Sequence, residues 1–213
     1  MGNAPSQASL LNNIGAVYTS LGEYEKSLSN YELSLRIADE MRDKGGKIAA
    51  LNNTGHIYEN MTQPKKALNY YNMALEMSEK IGDLERKAML HNNIGKIISA
   101  EDSNTAILHY KKALKITELL GDLQGQNILI NNIGRVLAEK GDFETAVSMF
   151  KKSITIAEKL GDNSKKAGAL SNLGSVFKAT NDLNQALDYF LQASRLEEKI
   201  GNPGVQLMSV GWD

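Results

Sequence analysis

Apolar residues along the chain return at helical spacing, in pairs of segments separated by a short polar break. In the first pair Ala8, Leu11, Ile14, Gly15 and Tyr18 fall on one helical face. The pattern breaks at Leu21-Gly22-Glu23, and Tyr24, Leu28, Tyr31, Leu35 and Ile37 then mark a second, longer helix. Apolar and polar residues nowhere alternate with period two, which argues against strands. Each second helix is predicted to end near Arg42-Asp43, Gly82-Asp83, Gly121-Asp122, Gly161-Asp162 or Gly201-Asn202. A glycine there takes the left-handed conformation that closes a helix, and the Asp or Asn after it caps the next one.

The pair recurs five times. LNNIG at Leu11–Gly15 returns as LNNTG at Leu51–Gly55, HNNIG at His91–Gly95, INNIG at Ile130–Gly134 and LSNLG at Leu170–Gly174. The glycines stand at 15, 55, 95, 134 and 174, so the steps are 40, 40, 39 and 40 residues. A fixed period of this size marks stacked supersecondary units, each burying its apolar face against its neighbours. Further on, each unit carries a small residue (Ser27, Ala67, Ala106, Ala146, Ala186), then an aromatic (Tyr31, Tyr71, Tyr110, Phe150, Phe190), then another small one (Ser34, Ala74, Ala113, Ser153, Ala193). Small residues let two backbones approach and the ring fills the space beside them, so each unit is expected to be a helix hairpin with one defined close contact. The third unit is a residue short. It reads SAEDSNT between Ile98 and Ala106, with no turn glycine. Asp102 or Ser103 is expected to cap its second helix after a tighter turn that bends the array.

On these residues, Leu11/Gly15/Tyr18 followed by Ser27/Tyr31/Ser34 and their counterparts through residues 8–200, the chain resembles tetratricopeptide repeats. The 40-residue period and Gly-Asp endings are similar to Partner-of-Inscuteable adaptors and Rap-type regulators, and the doubled Asn to kinesin light chain. The resemblance implies an all-α, right-handed superhelical solenoid of five helix-turn-helix repeats. As a single array over 1–213, its repeats would span 4–43, 44–83, 84–122, 123–162 and 163–202. A partial capping helix would follow at 203–212, carrying Val205, Leu207, Met208 and Val210, with Trp212 resting on the fifth unit. Gly2-Asn3 and Gly201-Asn202 match the internal unit endings, so the chain reads as a piece of a longer array; the other reading is a short protein whose last helix is its cap.

Composition narrows the function classes. Lys+Arg 24 against Asp+Glu 25 leaves a net charge of −1, which provides no global attraction for nucleic acid. The absence of cysteine excludes disulfides, thiolate nucleophiles and Cys-based metal sites, and it fits a reducing, cytoplasmic setting. No apolar run approaches the roughly 20 residues of a membrane span. Met1-Gly2-Asn3-Ala4-Pro5-Ser6 fits an N-myristoylation pattern at Gly2, though the preferred reading is a start codon at a repeat boundary.

Enzymatic constellations are missing. His56, His91 and His109 have no metal-ligand spacing, and His91 takes a place held by Leu or Ile in other units, the position of a core-edge histidine. Lys44-Gly45-Gly46-Lys47 is too short for a phosphate loop and follows no strand. Glu23, Glu25 and Asp142 fall at turns, where capping and solvation account for them, and Lys111-Lys112 and Lys151-Lys152 read as a solvated face. No catalytic residue, cofactor or metal is expected.

Asparagine pairs inside a helix need a reason, because Asn is worse than Ala there by roughly 0.6 kcal/mol. The pairs are Asn12-Asn13, Asn52-Asn53, Asn92-Asn93 and Asn131-Asn132, with Ser171-Asn172 in the fifth unit. In the family the resemblance implies, the first helix of each unit lines a concave groove, and an Asn two before the glycine contacts the ligand; here these are Asn13, Asn53, Asn93, Asn132 and Asn172. A carboxamide offers a donor and an acceptor and suits the backbone of an extended peptide. The competing reading is that these Asn bond their neighbours and fix the angle between units. After the glycine come His56, Lys96 and Arg135, a cationic step that favours an acidic or C-terminal segment, with Lys178 one turn further in the fifth unit. The cations that a chaperone-tail clamp needs three before the glycine are replaced by Asn or Ser. The expected function is a non-catalytic scaffold that holds a partner protein's peptide in the groove. A peptide-responsive sensor and a self-assembling spacer remain the alternatives.

Overall fold

The computed structural model describes residues 4–201, and among them only α-helices and turns occur. The expectations at Gly2 and for a capping helix over 203–212 with Trp212 lie outside the described residues. The ten helices are α1 (Ala4–Ser20), α2 (Tyr24–Glu40), α3 (Lys44–Asn60), α4 (Pro64–Ile81), α5 (Leu84–Ile98), α6 (Ser103–Leu120), α7 (Leu123–Glu139), α8 (Phe143–Leu160), α9 (Asn163–Ala179) and α10 (Leu183–Gly201). They form two compact units, Met1–Ile116 and Thr117–Asp213. In the first, α1 packs on α2, α2 on α3, α3 on α4 and α4 on α5, while the odd-numbered helices also touch in a row. In the second, α7, α8, α9 and α10 pack in succession, and α7 touches α9.

Each hairpin is set by one close approach. A Cβ built on Gly15, Gly55, Gly95, Gly134 or Gly174 would lie 2.6–2.8 Å from a ring carbon of Tyr31, Tyr71, Tyr110, Phe150 or Phe190. The aromatic edge therefore rests on the bare backbone of the facing helix, and only glycine leaves room for it. Beside that contact the buried Ser27 donates to the Gly15 carbonyl (2.7 Å) and Ser34 to that of Ala8 (2.8 Å). In the other hairpins alanines take these places, except for the buried Ser153 of the fourth. A second ring pair closes two hairpins: Tyr58 stacks on Tyr70 and Phe177 on Tyr189, each at 5.4 Å between centroids.

The punctuation is regular. The helix pairs are separated by left-handed residues at Arg42, Gly82, Gly121 and Gly161, and the hairpin turns use Gly22, Thr62, Gly141 and Asn181. Asp43, Asp83, Asp122 and Asp162 then accept from the backbone N–H three residues on, at 2.9–3.0 Å, and cap α3, α5, α7 and α9. The third hairpin has no left-handed residue. Asp102 N–H donates to Ile98 O (2.8 Å), four residues back, where the other four hairpins use a five-residue bond such as Asp142 N–H to Leu137 O. Asp102 is the cap of α6, accepting from Thr105 N–H at 3.0 Å. The missing residue is thus absorbed as a tighter turn.

Candidate functional site

The asparagine pairs lie on the odd-numbered helices, in the turn before each packing glycine. Asn12, Asn52, Asn53, Asn92, Asn93, Asn131, Asn132 and Asn172 are half-buried, and Asn13 is exposed. Their placement follows from helical geometry: Leu51, His91, Ile130 and Leu170 turn into the core, and the next residues reach the edge of the buried face. Across adjacent odd helices the carboxamides meet. Asn93 Nδ2 donates to Asn52 Oδ1 in the first unit, and Asn172 Nδ2 donates to Asn131 Oδ1 in the second, both at 3.0 Å. The second Asn of one repeat therefore bonds the first Asn of the repeat before it. Within a pair, Asn52 and Asn92 approach the Oδ1 of Asn53 and Asn93 at 3.4 and 3.5 Å. Asn12 Oδ1, in the acceptor column, is buried with no hydrogen-bond partner. Part of the asparagine signal is thus structural, a ladder tying one repeat to the next. An amide with two donor hydrogens and two acceptor lone pairs keeps capacity beyond a single rung.

In the second unit this surface opens into a recess of about 420 Å³ lined by Asn131, Asn132, Ser171 and Asn172, with Lys165 and Glu197 at its rim. Lys165 is paired with the cap carboxylate of Asp162, whose pKa that contact and the backbone N–H hold below the usual range. Asn127 forms the floor. It is buried and donates from Nδ2 to Ser153 O at 2.6 Å. The repeat phrase alone does not mark Asn127, because it precedes the doubled Asn and replaces the apolar Ile48 of the second repeat.

The cationic positions carry their own counter-charges. Lys96 Nζ pairs with Glu59 Oε1 at 2.6 Å, and Glu59 Oε2 accepts from Tyr71 O–H at 2.9 Å. That hydroxyl is held protonated well above the ordinary tyrosine range, chiefly by burial and then by the Glu59 charge. Arg135 Nη1 pairs with Glu139 Oε1 at 2.8 Å. His56 and Lys178 are exposed. The column four after the glycine, which contains Lys178, relates to the facing ring more than to a groove. Thr19 lies 3.4 Å from Tyr31 Oη and Glu59 bonds Tyr71 Oη, whereas the Phe150 and Phe190 hairpins have Ala138 and Lys178 there.

One constellation was hidden from the sequence. His91 Nδ1 and His109 Nδ1 are 3.0 Å apart across α5 and α6, with the rings edge to face. Burial, then the neighbouring His109, Lys112 and Lys87, pushes the His91 pKa down to about 4, and His109 is lowered by burial and Lys112. Both rings are therefore neutral near pH 7, one Nδ1 donating and the other accepting. The only hint in the sequence is that His91 breaks a column of Leu and Ile.

A family model described as tetratricopeptide repeat matches residues 6–80, 48–118 and 126–199, nearly the whole described chain. The chain belongs to the tetratricopeptide repeat family. Among solved structures, BtubC (BKLC) from P. vanneervenii superposes with a TM-score of 0.84 at 23% identity, over 93% of this chain and 82% of that one. The repeats of a putative kinesin light chain from Podosopora anserina give 0.75 at 13% identity, over 92% and 97% of the two chains. A Rap protein complexed with Competence and Sporulation Factor gives 0.71 at 17%, over 90% and 55%. At these identities the likeness is one of fold, and it places this tetratricopeptide repeat protein among the helical solenoids. No curated protein sequence matches the chain. Among the described residues no helix is long and apolar enough to cross a membrane, and no cluster of three or more His, Asp or Glu is placed to hold a metal.

Proposed function

We propose that this tetratricopeptide repeat protein is a protein–protein interaction scaffold that holds an extended peptide segment of a partner against the asparagine-bearing face of its odd-numbered helices. The observation that carries the reading is the amide bond between repeats found within each unit, Asn93 to Asn52 and Asn172 to Asn131, which fixes half-buried carboxamides on that face. Amides fixed in this way meet the donors and acceptors of a peptide backbone without reorganisation, so affinity accrues largely independently of side-chain sequence. We assign Asn52, Asn92, Asn93, Asn131, Asn132, Ser171 and Asn172 to ligand contact; Asn52, Asn93, Asn131 and Asn172 also bond across repeats. The recess at Asn131, Asn132 and Asn172 accommodates a side chain between two repeats.

A preference for acidic or C-terminal segments has weaker support. A ligand carboxylate reaching Lys96 or Arg135 competes with Glu59 or Glu139. The exposed Arg135–Glu139 pair is worth about 1 kcal/mol or less, so its exchange adds little affinity. Displacing the largely buried Glu59 from Lys96 leaves its carboxylate without a cation. The test is a pull-down from a proteome-derived peptide library with the wild-type protein and with Asn92→Ala/Lys96→Ala. The variant should keep its helicity and a cooperative melt and lose most of the enriched peptides. Recovery of the same peptides at the same yield by both proteins would contradict the assignment.

A further inference from the structure

The two terminal described helices expose apolar faces whose counterparts elsewhere in the chain are buried. On α1, Leu10 and Val17 are 58% and 59% exposed, with Ile14 and Leu21 completing a stripe at helical spacing. In the same column as Val17, Ile57, Val136 and Val176 are essentially buried, and in that of Ile14 so are Ile94, Ile133 and Leu173. On α10, Leu183 and Leu187 are each 59% exposed. Their counterparts Phe143 and Val147 on α8 are half-buried.

The internal contact shows what these faces fit. Phe143 and Val147 of α8 pack against the core formed with Leu173 and Val176 of α9. In repeat register, Phe143 and Val147 correspond to Leu183 and Leu187, while Leu173 and Val176 correspond to Ile14 and Val17. The chain therefore carries both halves of its own stacking interface, one on α1 and one on α10. A second observation concerns charge. Helix α1 contains no charged residue in its 17 positions, whereas the other odd-numbered helices all contain Lys or Arg. A solvent-facing helix gains from charge, and a helix seated against another apolar face does not.

We propose that a second copy of this chain docks head to tail, with Leu183 and Leu187 of α10 in one copy against Ile14 and Val17 of α1 in the next, extending the α8/α9 type of contact across chains. Such a contact is heterologous. It leaves one free face at each end and grows with concentration instead of closing as a symmetric dimer.

Sedimentation velocity on the full chain over a wide concentration range tests this. The wild type should show a mass that rises with concentration through species larger than dimers. Leu10→Lys/Val17→Lys and Leu183→Lys/Leu187→Lys, each altering residues already exposed in the monomer, should each remain monomeric. Mixed, they should form a one-to-one heterodimer and stop there, because each keeps the face the other has lost. That outcome also requires both variants to be folded. A wild type that stays monomeric throughout, variants that associate like the wild type, or a mixture that fails to pair would overturn the proposal. The first of these would assign the faces to a flanking segment or a different partner.

Discussion

At the residue scale, the packing glycines and the histidine pair give the most direct predictions. A methyl at position 55 would sit 2.7 Å from the Tyr71 ring, so Gly55→Ala forces the ring or the helix to move. Overpacking of this kind costs about 1–3 kcal/mol. Denaturant unfolding should show that loss, and Gly55→Ala combined with Tyr71→Leu should recover part of it, because the ring is what the methyl meets. The histidine pair predicts a pH dependence. In the unfolded chain His91 takes up its proton near 6.5, while in the folded chain it resists until about 4. Between those values the unfolded state binds more protons, so stability falls as the pH drops through that window. The groups facing the pair are Lys87 on α5, Glu79 on α4 and Lys112 on α6, and of these only Glu79 opposes the shift. His91→Leu, which installs the residue found at positions 51 and 170, should flatten the melting temperature between pH 6.5 and 4 relative to wild type.

At the scale of the element, helix lengths and caps were largely legible, because a cap is a local event. The Asp after each left-handed residue reads as a cap from its place in the period, and its carboxylate accepts the expected backbone N–H. For Asp83 that bond, together with the Arg86 side chain, holds the pKa below the ordinary aspartate range. Asp83→Ala should therefore cost about 1 kcal/mol, read by chemical denaturation at neutral pH. Less legible were Arg42, Thr62 and Asn181, which adopt the left-handed conformation without being glycine. The surrounding hairpin imposes it there, and tertiary packing leaves no trace in local propensity. The asparagines show the same limit. Their spacing marked a candidate binding column, but the 41-residue bond from Asn93 to Asn52 joins residues of different repeats, so pattern within one repeat does not reveal it. Asn93→Ala removes that rung and should lower stability by about 1 kcal/mol, read by chemical denaturation.

On the scale of the molecule, the period fixed the architecture because five agreeing copies over-determine one hairpin geometry. Partner identity had no comparable redundancy. The column proposed to meet a ligand differs between repeats, as His56, Lys96 and Arg135 show, so no repeated pattern encodes it. Pairing of Lys96 with Glu59 and Arg135 with Glu139 further mutes the charge signal the sequence offered. What remains is the amide face itself. The most direct measurement is a nitrogen-15 NMR titration of the side-chain NH2 resonances with a library-selected peptide. Shifts concentrated at Asn92, Asn93, Asn131, Asn132 and Asn172, with even-numbered helices unaffected, are the predicted result. Saturable binding that leaves those amides unmoved and shifts residues of the even-numbered helices instead would contradict it.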